Sequence, residues 1–248
     1  MLYHGQYIGE CFELYGQYSE SEVSLMRHFL QAGNTAIDVG AYIGDLAIPM
    51  SHLVGDAGRL IAFEAHPHNF NVLCANLALN NIRNTQAINA FVALPDAASC
   101  SVTSPVVARW PVDCTALDSL ELDALHLLKI DVDGGELEVL KSGEMQIERF
   151  RPTLYFEDDR REQSASLLDY AMRTLEYDLY FHRAPIFEAD NFFGNPVNHW
   201  GNVGILSLMI VGVPKERKIA LNLKRVISAD DWWDFSGSDN LAALVRTD

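Results

Sequence analysis

The residues best suited to chemistry in this chain are a glycine-spaced loop and a set of carboxylates that end apolar segments. The loop, Gly40-Ala-Tyr-Ile-Gly44, follows the alternating segment Ala36-Ile-Asp-Val39 and opens an apolar run from Leu46 to Val54. Further on, Leu60-Ile-Ala-Phe63 ends on Glu64. Glycine reaches backbone angles closed to other residues and leaves no Cβ between a loop and a ligand. An acid closing the second strand of such a unit is placed to accept hydrogen bonds from a ribose. More acids crowd Lys129-Ile-Asp-Val-Asp-Gly-Gly-Glu136, and Thr153-Leu-Tyr-Phe-Glu157 ends on another. In open α/β sheets ligands bind beyond the carboxyl ends of the strands, and Asp38, Glu64, Asp131 and Glu157 each fall at or beside such an end.

A dinucleotide fingerprint wants three glycines spaced G-x-G-x-x-G, so that backbone can press against a pyrophosphate. Here the middle position holds Ala41, and Asp38 precedes the first glycine. A carboxylate there repels a pyrophosphate but balances the sulfonium and α-ammonium of S-adenosylmethionine. The plainer alternative is a turn that only lets a strand enter a helix. The acidic turn has three readings. Asp131, Asp133 or Glu136 could take the proton of an attacking hydroxyl. Two or three of them, with Glu157 or Asp158, could hold a hard divalent cation. The glycines could instead bend a strand-to-helix turn that the acids cap. No His or Asn stands at fixed ligand spacing, so no metal is expected. His66 and His68 flank Pro67 and could edge an adenosine pocket, although exposed helix-start histidines are commoner. The loop Asn191-Phe-Phe-Gly-Asn-Pro-Val-Asn-His-Trp-Gly201 offers His199 as a reserve base and Phe192, Phe193 and Trp200 as flat apolar faces for a substrate.

The elements that must position these groups follow from periodicity. Val23, Met26, Phe29 and Leu30 predict a helix within 19–31. Strand 35–40, helix 44–54 and strand 59–64 come next, with Pro49 tolerable only near the first turn of its helix. A helix starting at Pro67, a strand over 85–93 and an irregular stretch over 95–111 follow. The run 125–131 suits a parallel strand buried on both faces. Helix 135–141, strand 153–157, helix 161–175 and strands 178–182 and 204–211 complete an alternation that argues a parallel sheet covered on both faces. The tail carries Trp232-Trp233, read as a docked terminal helix or a lid.

At 248 residues the chain suits one α/β domain, divided as an N-terminal segment (1–34), a core (35–214) and an extension (215–248). A net charge of -16 with no run of four Lys or Arg argues against nucleic acid and anionic membranes. Cys11, Cys74, Cys100 and Cys114 show no metal-ligand spacing, and Cys74 reads as a buried thiol. The N-terminus does not resemble a signal peptide, and no apolar stretch reaches eighteen residues. A reduced, cytoplasmic setting is the default expectation.

Together these segments resemble the FkbM family of class I S-adenosylmethionine-dependent methyltransferases. The likeness runs from about Tyr18 to Pro214. It includes Tyr18-Ser-Glu-Ser-Glu22, Ile37-Asp-Val-Gly-Ala-Tyr-Ile-Gly44, Phe63-Glu-Ala-His-Pro67, Leu117-Asp-Ser-Leu120, Leu128 through Leu140, Arg151-Pro152 and Asp190-Asn-Phe-Phe-Gly194. The Lys-Ile-Asp-Val-x-Gly-x-Glu element is the most selective. The resemblance implies a Rossmann-like, mostly parallel seven-stranded sheet with an antiparallel last strand. It also implies S-adenosylmethionine as cofactor and methyl transfer to oxygen. Asp38, Gly40, Ala41, Tyr42, Gly44, Glu64, Ala65 and Asp131 would line the cofactor, with Asp131 the floor of the site. Tyr42 stands where the family often has Asn, and strand 3 ends near Asn89 without the usual acid. The acceptor would be a small-molecule or glycan hydroxyl, and a homodimer is left open. A catalytically inactive cofactor-binding module and a nicotinamide oxidoreductase are the alternatives, the latter disfavoured by Ala41 and Asp38.

Overall fold

The structure, a computed structural model, describes residues 7–95, 112–200 and 206–234. Helices α1 (Ile8–Tyr15) and α2 (Glu20–Met26) precede β1 (Thr35–Val39), α3 (Ala47–Val54), β2 (Arg59–Phe63), α4 (Pro67–Leu79) and β3 (Thr85–Ile88). A small separate pair, β4 (Ala90–Val92) with β5 (Asp113–Thr115), stands off the main sheet. Then come β6 (Leu127–Ile130), α5 (Glu136–Ser142), α6 (Glu144–Phe150), β7 (Thr153–Glu157) and α7 (Arg161–Asp169). β8 (Tyr177–Pro185), β9 (Leu206–Pro214) and β10 (Lys224–Arg225) close the described chain.

The main sheet runs β10-β8-β9-β7-β6-β1-β2-β3. β3, β2, β1, β6 and β7 are parallel, and β9 inserts between β7 and β8 antiparallel to both. The sheet therefore has eight strands rather than seven. The additional one is the two-residue β10, which the tail lays antiparallel on β8. The expected antiparallel last strand of the seven is β9, which lies inside the sheet between β7 and β8. Strand order reverses between β1 and β6, which fixes the ligand crevice at their carboxyl ends.

Local chemistry explains most element boundaries. Pro49 is the third residue of α3, where its missing N–H had no helical partner to lose. Pro67 opens α4, and His66 caps it by accepting from the His68 N–H at 3.2 Å. The expected strand 85–93 divides at Asn89 into β3 and β4, whose partners lie in different sheets. The expected helix 161–175 keeps an α-turn only to Asp169 and continues as a π-helical turn over Tyr170–Thr174. α1 was not foreseen, and α2 stops at Met26. The stretch 96–111, with Cys100, lies outside the described residues. Cys11 is a buried free thiol, while Cys74 is only half-buried, a correction to its reading as a core residue. Cys114 is disulfide-bonded, against the expectation of reduced thiols, and nothing in the cysteine spacing signalled it.

Each face of the sheet carries its own apolar layer. Ile37, Ile61, Leu128, Ile130, Leu154 and Phe156 pack with Val139 and Leu140 of α5, Ile147 of α6 and Leu167 of α7. Ala36, Leu60, Leu127 and Tyr155 face α2, α3 and α4 through Val23, Leu25, Met50, Val54 and Leu73. The tail joins the first layer through Val226 and Trp233. Trp233 docks from an extended segment, not from a helix or a lid. No helix among the described residues is long and apolar enough to cross a membrane.

Candidate active site

The loop after β1 is pinned to its neighbours on every side. Gly40 has φ 82°, and a Cβ there would sit 1.8 Å from the Asp131 carbonyl oxygen. The bare backbone therefore serves the close approach of β1 to the β6 tip. A Cβ on Gly44, at φ 92°, would press on Leu73 of α4 at 3.0 Å. Ala41 is buried, and its N–H and that of Gly40 both donate to the Phe63 carbonyl at 2.9 Å. These glycines thus answer first to the packing of the loop against β6 and α4.

Tyr42 takes φ 46°, a left-handed conformation that favours Asn and Gly. The loop therefore holds a tyrosine in a turn that Asn or Gly would enter at lower cost. That turn points the Tyr42 N–H at Glu64 Oε2, 2.9 Å away, while the His66 N–H donates to Oε1 at 2.7 Å. Both carboxylate oxygens keep further lone pairs for a diol. Burial pushes Glu64 up to about 7, against the pull of its two N–H donors. Asn89 then holds the strand tip by donating to the carbonyls of Glu64 at 2.7 Å and Ala65 at 3.1 Å. Asn89 is the residue that stands where the expected strand-3 acid is missing.

Beneath the loop lies an ion cluster that the motifs did not reveal. Asp38, Lys129 and Tyr155 are in register across β1, β6 and β7. Lys129 is 3 % exposed, and its ammonium lies 3.0 Å from Asp38 and 3.9 Å from Asp131 while donating to the Gly40 carbonyl at 3.0 Å. Burial alone would lower its pKa, but Asp38, Asp131 and Asp45 override that and hold it raised. Asp38 is fully buried, so its charge serves Lys129 rather than facing the crevice. Burial also pushes Asp45 up to about 7. Three acids around one lysine leave the pocket net negative, the environment a sulfonium with an α-ammonium requires. From α2, buried Glu22 accepts from Ser19 Oγ at 2.6 Å, and Asp131 and Lys129 lie within its electrostatic reach. Tyr155 Oη lies 2.8 Å from His182 Nδ1 on β8.

The acidic turn separates into three roles. Glu136 is buried and accepts from the N–H groups of Val132 and Gly134, both at 3.1 Å, so it closes the turn as a cap. Asp133 has φ 58° and a side chain 97 % exposed, paired with Arg160 at 3.3 Å. Asp131 alone stands at the tip of β6, half-exposed beside the Lys129 ammonium. Across from it, burial and then the charges of Asp131, Asp159, Glu136 and Asp133 push Glu157 up to about 9. Among the described residues no group of three or more His, Cys, Asp or Glu is arranged to hold a metal ion.

The 191–200 loop seats on α1 instead of on the acidic turn. His199 is exposed, and its N–H donates to the Tyr15 hydroxyl at 3.1 Å. Trp200 is half-buried with its ring 5.3 Å from that of Tyr7. Phe192 and Phe193 are 79 % and 59 % exposed over Gly16. They are not core residues, so Phe193→Ala is expected to change stability by no more than about 0.5 kcal/mol in a thermal melt. A loss of about 3 kcal/mol would return it to the core. Tyr18 links the two regions: it packs on the cluster of Cys11 and Tyr15 and lies within the electrostatic reach of Glu22, Asp45 and Asp131. The sequence signal for the hidden cluster was Lys129 itself, a charge inside an apolar parallel strand that needed a buried partner.

The family model described as "Methyltransferase FkbM domain" matches residues 38–182, more than half of the chain. No curated protein sequence matches significantly. Among solved structures, a putative O-methyltransferase from Klebsiella pneumoniae aligns at TM-score 0.53 and 14 % identity, covering 86 % of this chain and 92 % of that one. Precorrin-6y C5,15-methyltransferase from Geobacter metallireducens GS-15 aligns at TM-score 0.51 and 16 % identity, with 78 % and 87 % covered. The methyltransferase FkbM from Methylobacillus flagellatus KT aligns at TM-score 0.50 and 16 % identity over 72 % of this chain and 43 % of that one. At such identities these likenesses establish the fold, while the sequence match establishes the family and sets aside the nicotinamide reading. The chain belongs to the FkbM methyltransferase family and is an S-adenosylmethionine-dependent methyltransferase.

Proposed function

We propose that the enzyme methylates a hydroxyl oxygen of a glycan or secondary-metabolite acceptor, with Asp131 as the base. The observation that carries this reading is the division of labour in the acidic turn. Glu136 is committed to capping and Asp133 turns outward, which leaves Asp131 as the open carboxylate at the switch-point strand. S-adenosylmethionine supplies a methyl group already activated on a cationic sulfur. The chain's own residues then hold the acceptor in line and accept its hydroxyl proton, and positioning alone can lower the barrier by about 7–11 kcal/mol. Glu157, protonated at neutral pH, adds no second negative charge beside Asp131 and can donate a hydrogen bond to the acceptor. Phe192 and Phe193, exposed over α1 and joined to the acidic cluster through Tyr18, are proposed as the apolar face for the outer part of a sugar or polyketide acceptor. Screening a hydroxyl library with methyl-labelled cofactor tests the proposal. Label found only on nitrogen or carbon would sink it.

In the same reading Gly40, Ala41, Tyr42 and Gly44 shape the methionine side of the pocket, Glu64 holds the ribose, and Ala65 borders the adenosine. Glu64→Ala should weaken cofactor binding by roughly 1.5–3 kcal/mol in calorimetric titration. The pH dependence has a definite sign. Glu64 carries a proton below about 7 and accepts fully from a diol only when ionised. Affinity should therefore rise about fivefold between pH 6 and 7, a window below the titration of an α-amino group. In Glu64→Gln the curve should lose most of its slope and keep only what Asp45, also raised to about 7, contributes, and a curve as steep as wild type would assign the dependence to another group.

A further inference from the structure

The aromatic tail packs on the sheet, but the methyl-transfer reading gives it no role. Trp233 is 5 % exposed, and its ring meets Phe181 of β8 edge-on with centroids 4.7 Å apart. Its indole N–H donates to the carbonyl of Asp158 at 2.6 Å. Asp158 is the residue immediately after Glu157, and it is itself held at two other atoms. Its N–H donates to the Leu208 carbonyl on β9 at 2.8 Å, and its carboxylate accepts from Ser164 Oγ of α7 at 3.0 Å. The tail reaching it is clamped on both sides: the Val226 N–H donates to Leu179 O at 2.8 Å, and Arg183 donates to the Asp234 carbonyl at 2.9 Å. One residue beyond Asp159, Arg160 crosses to Asp133.

The turn after β7 therefore has four ties, and three of them come from outside the β7–α7 unit, from β9, from the turn after β6 and from the tail. A buried carbonyl without a donor is costly, so loss of the indole N–H would make the turn open toward water to satisfy Asp158. Such opening would move Glu157 away from Asp131. We propose that Trp233 is a positioning residue of the active site, using the tail as a strap that fixes the 157–160 turn and holds Glu157 opposite Asp131. Calling the consequence catalytic rests on the reading of the β6 and β7 tips as the acceptor site. The geometric claim stands on its own.

Trp233→Phe tests it, because the ring and its packing on Phe181 are kept while the donor is lost. Hydrogen exchange in the full chain should show the 157–160 amides exchanging about tenfold faster. The Glu157 carboxyl, followed by carbon NMR, should titrate about one unit lower, because it becomes hydrated. Trp232→Phe, whose partner is Arg161, should leave both readings at wild-type values. Arg183→Met, which frees the end of the strap while keeping the indole, should raise exchange in the same peptide by a smaller factor. This second variant keeps the test open should Trp233→Phe unfold. Wild-type exchange together with a wild-type Glu157 titration in a folded Trp233→Phe, or no rise in either variant, overturns the proposal. The catalytic reading fails separately if Glu157→Gln turns over an identified acceptor at the wild-type rate.

Discussion

Replacing Asp131 by Asn should lower turnover by about 10²-fold or more while leaving cofactor affinity within about threefold. Asparagine keeps the size and the hydrogen-bonding shape of the tip of β6, but it cannot take a proton from the attacking hydroxyl. The matched control is Asp133→Asn. The sequence motif marks 131, 133 and 136 equally, yet only at Asp131 is the carboxylate both open to the crevice and next to a buried cation. Asp133 is paired only weakly with Arg160 across solvent, and exposed pairs contribute about 0–1 kcal/mol. Its neutralisation should leave turnover within about twofold. Glu136→Gln should chiefly lower the melting temperature, since the amide oxygen caps Val132 and Gly134 less strongly than a carboxylate. Initial rates for the three variants on one acceptor decide the matter. Wild-type turnover in Asp131→Asn would end the assignment, and a 10²-fold loss in Asp133→Asn would move the base outward.

The second large effect is expected on stability. Lys129→Met should destabilise the cofactor-free protein by about 3–5 kcal/mol, enough to unfold many domains of ordinary stability. The methionine fills most of the volume, so the loss is electrostatic. Asp38 would lie fully buried on β1 without Lys129, its only ion-pair partner among the described residues, and the Gly40 carbonyl would lose its ammonium donor. Breaking one side of a buried pair is far worse than replacing both. The double variant Lys129→Met with Asp38→Asn should therefore recover most of the stability. Denaturant unfolding of the two variants measures this. Near-wild-type stability in Lys129→Met alone would show that Asp38 is neutral in the native protein and that the pair is not what holds the loop.

The order of elements, the parallel sheet and the strand tips that carry Asp38, Glu64, Asp131 and Glu157 were legible from the chain alone. Apolar alternation, glycine spacing and prolines at helix starts are local signals, and each is written in adjacent residues. Strand 153–157 and the start of α4 at Pro67 fall where the pattern puts them. Roles inside the motifs were less legible. Gly40 and Gly44 read as room for a ligand, and the structure adds a packing reason for both, the Asp131 carbonyl beside Gly40 and Leu73 beside Gly44. Asp38 read as a pocket charge and is the buried counter-ion of Lys129. Asp133 and Glu136 read as bases, and one faces water while the other caps its own turn.

The same division accounts for the tail and for the 191–200 loop. Trp232-Trp233 announced buried aromatic surface, but only the return of the chain across β8 brings the Trp233 indole to Asp158. Phe192 and Phe193 could be counted as core or as surface until α1, which had no periodic signal strong enough to be foreseen, placed Gly16 beneath them. By itself, then, the sequence determined most of the secondary elements, because propensity and spacing act between neighbours along the chain, and its resemblance to the FkbM family implied the cofactor class. Tertiary structure decided which carboxylate is open, which is paired and which is spent on a cap. Those states depend on burial and on partners from other strands, and only the finished sheet brings these within a few ångströms.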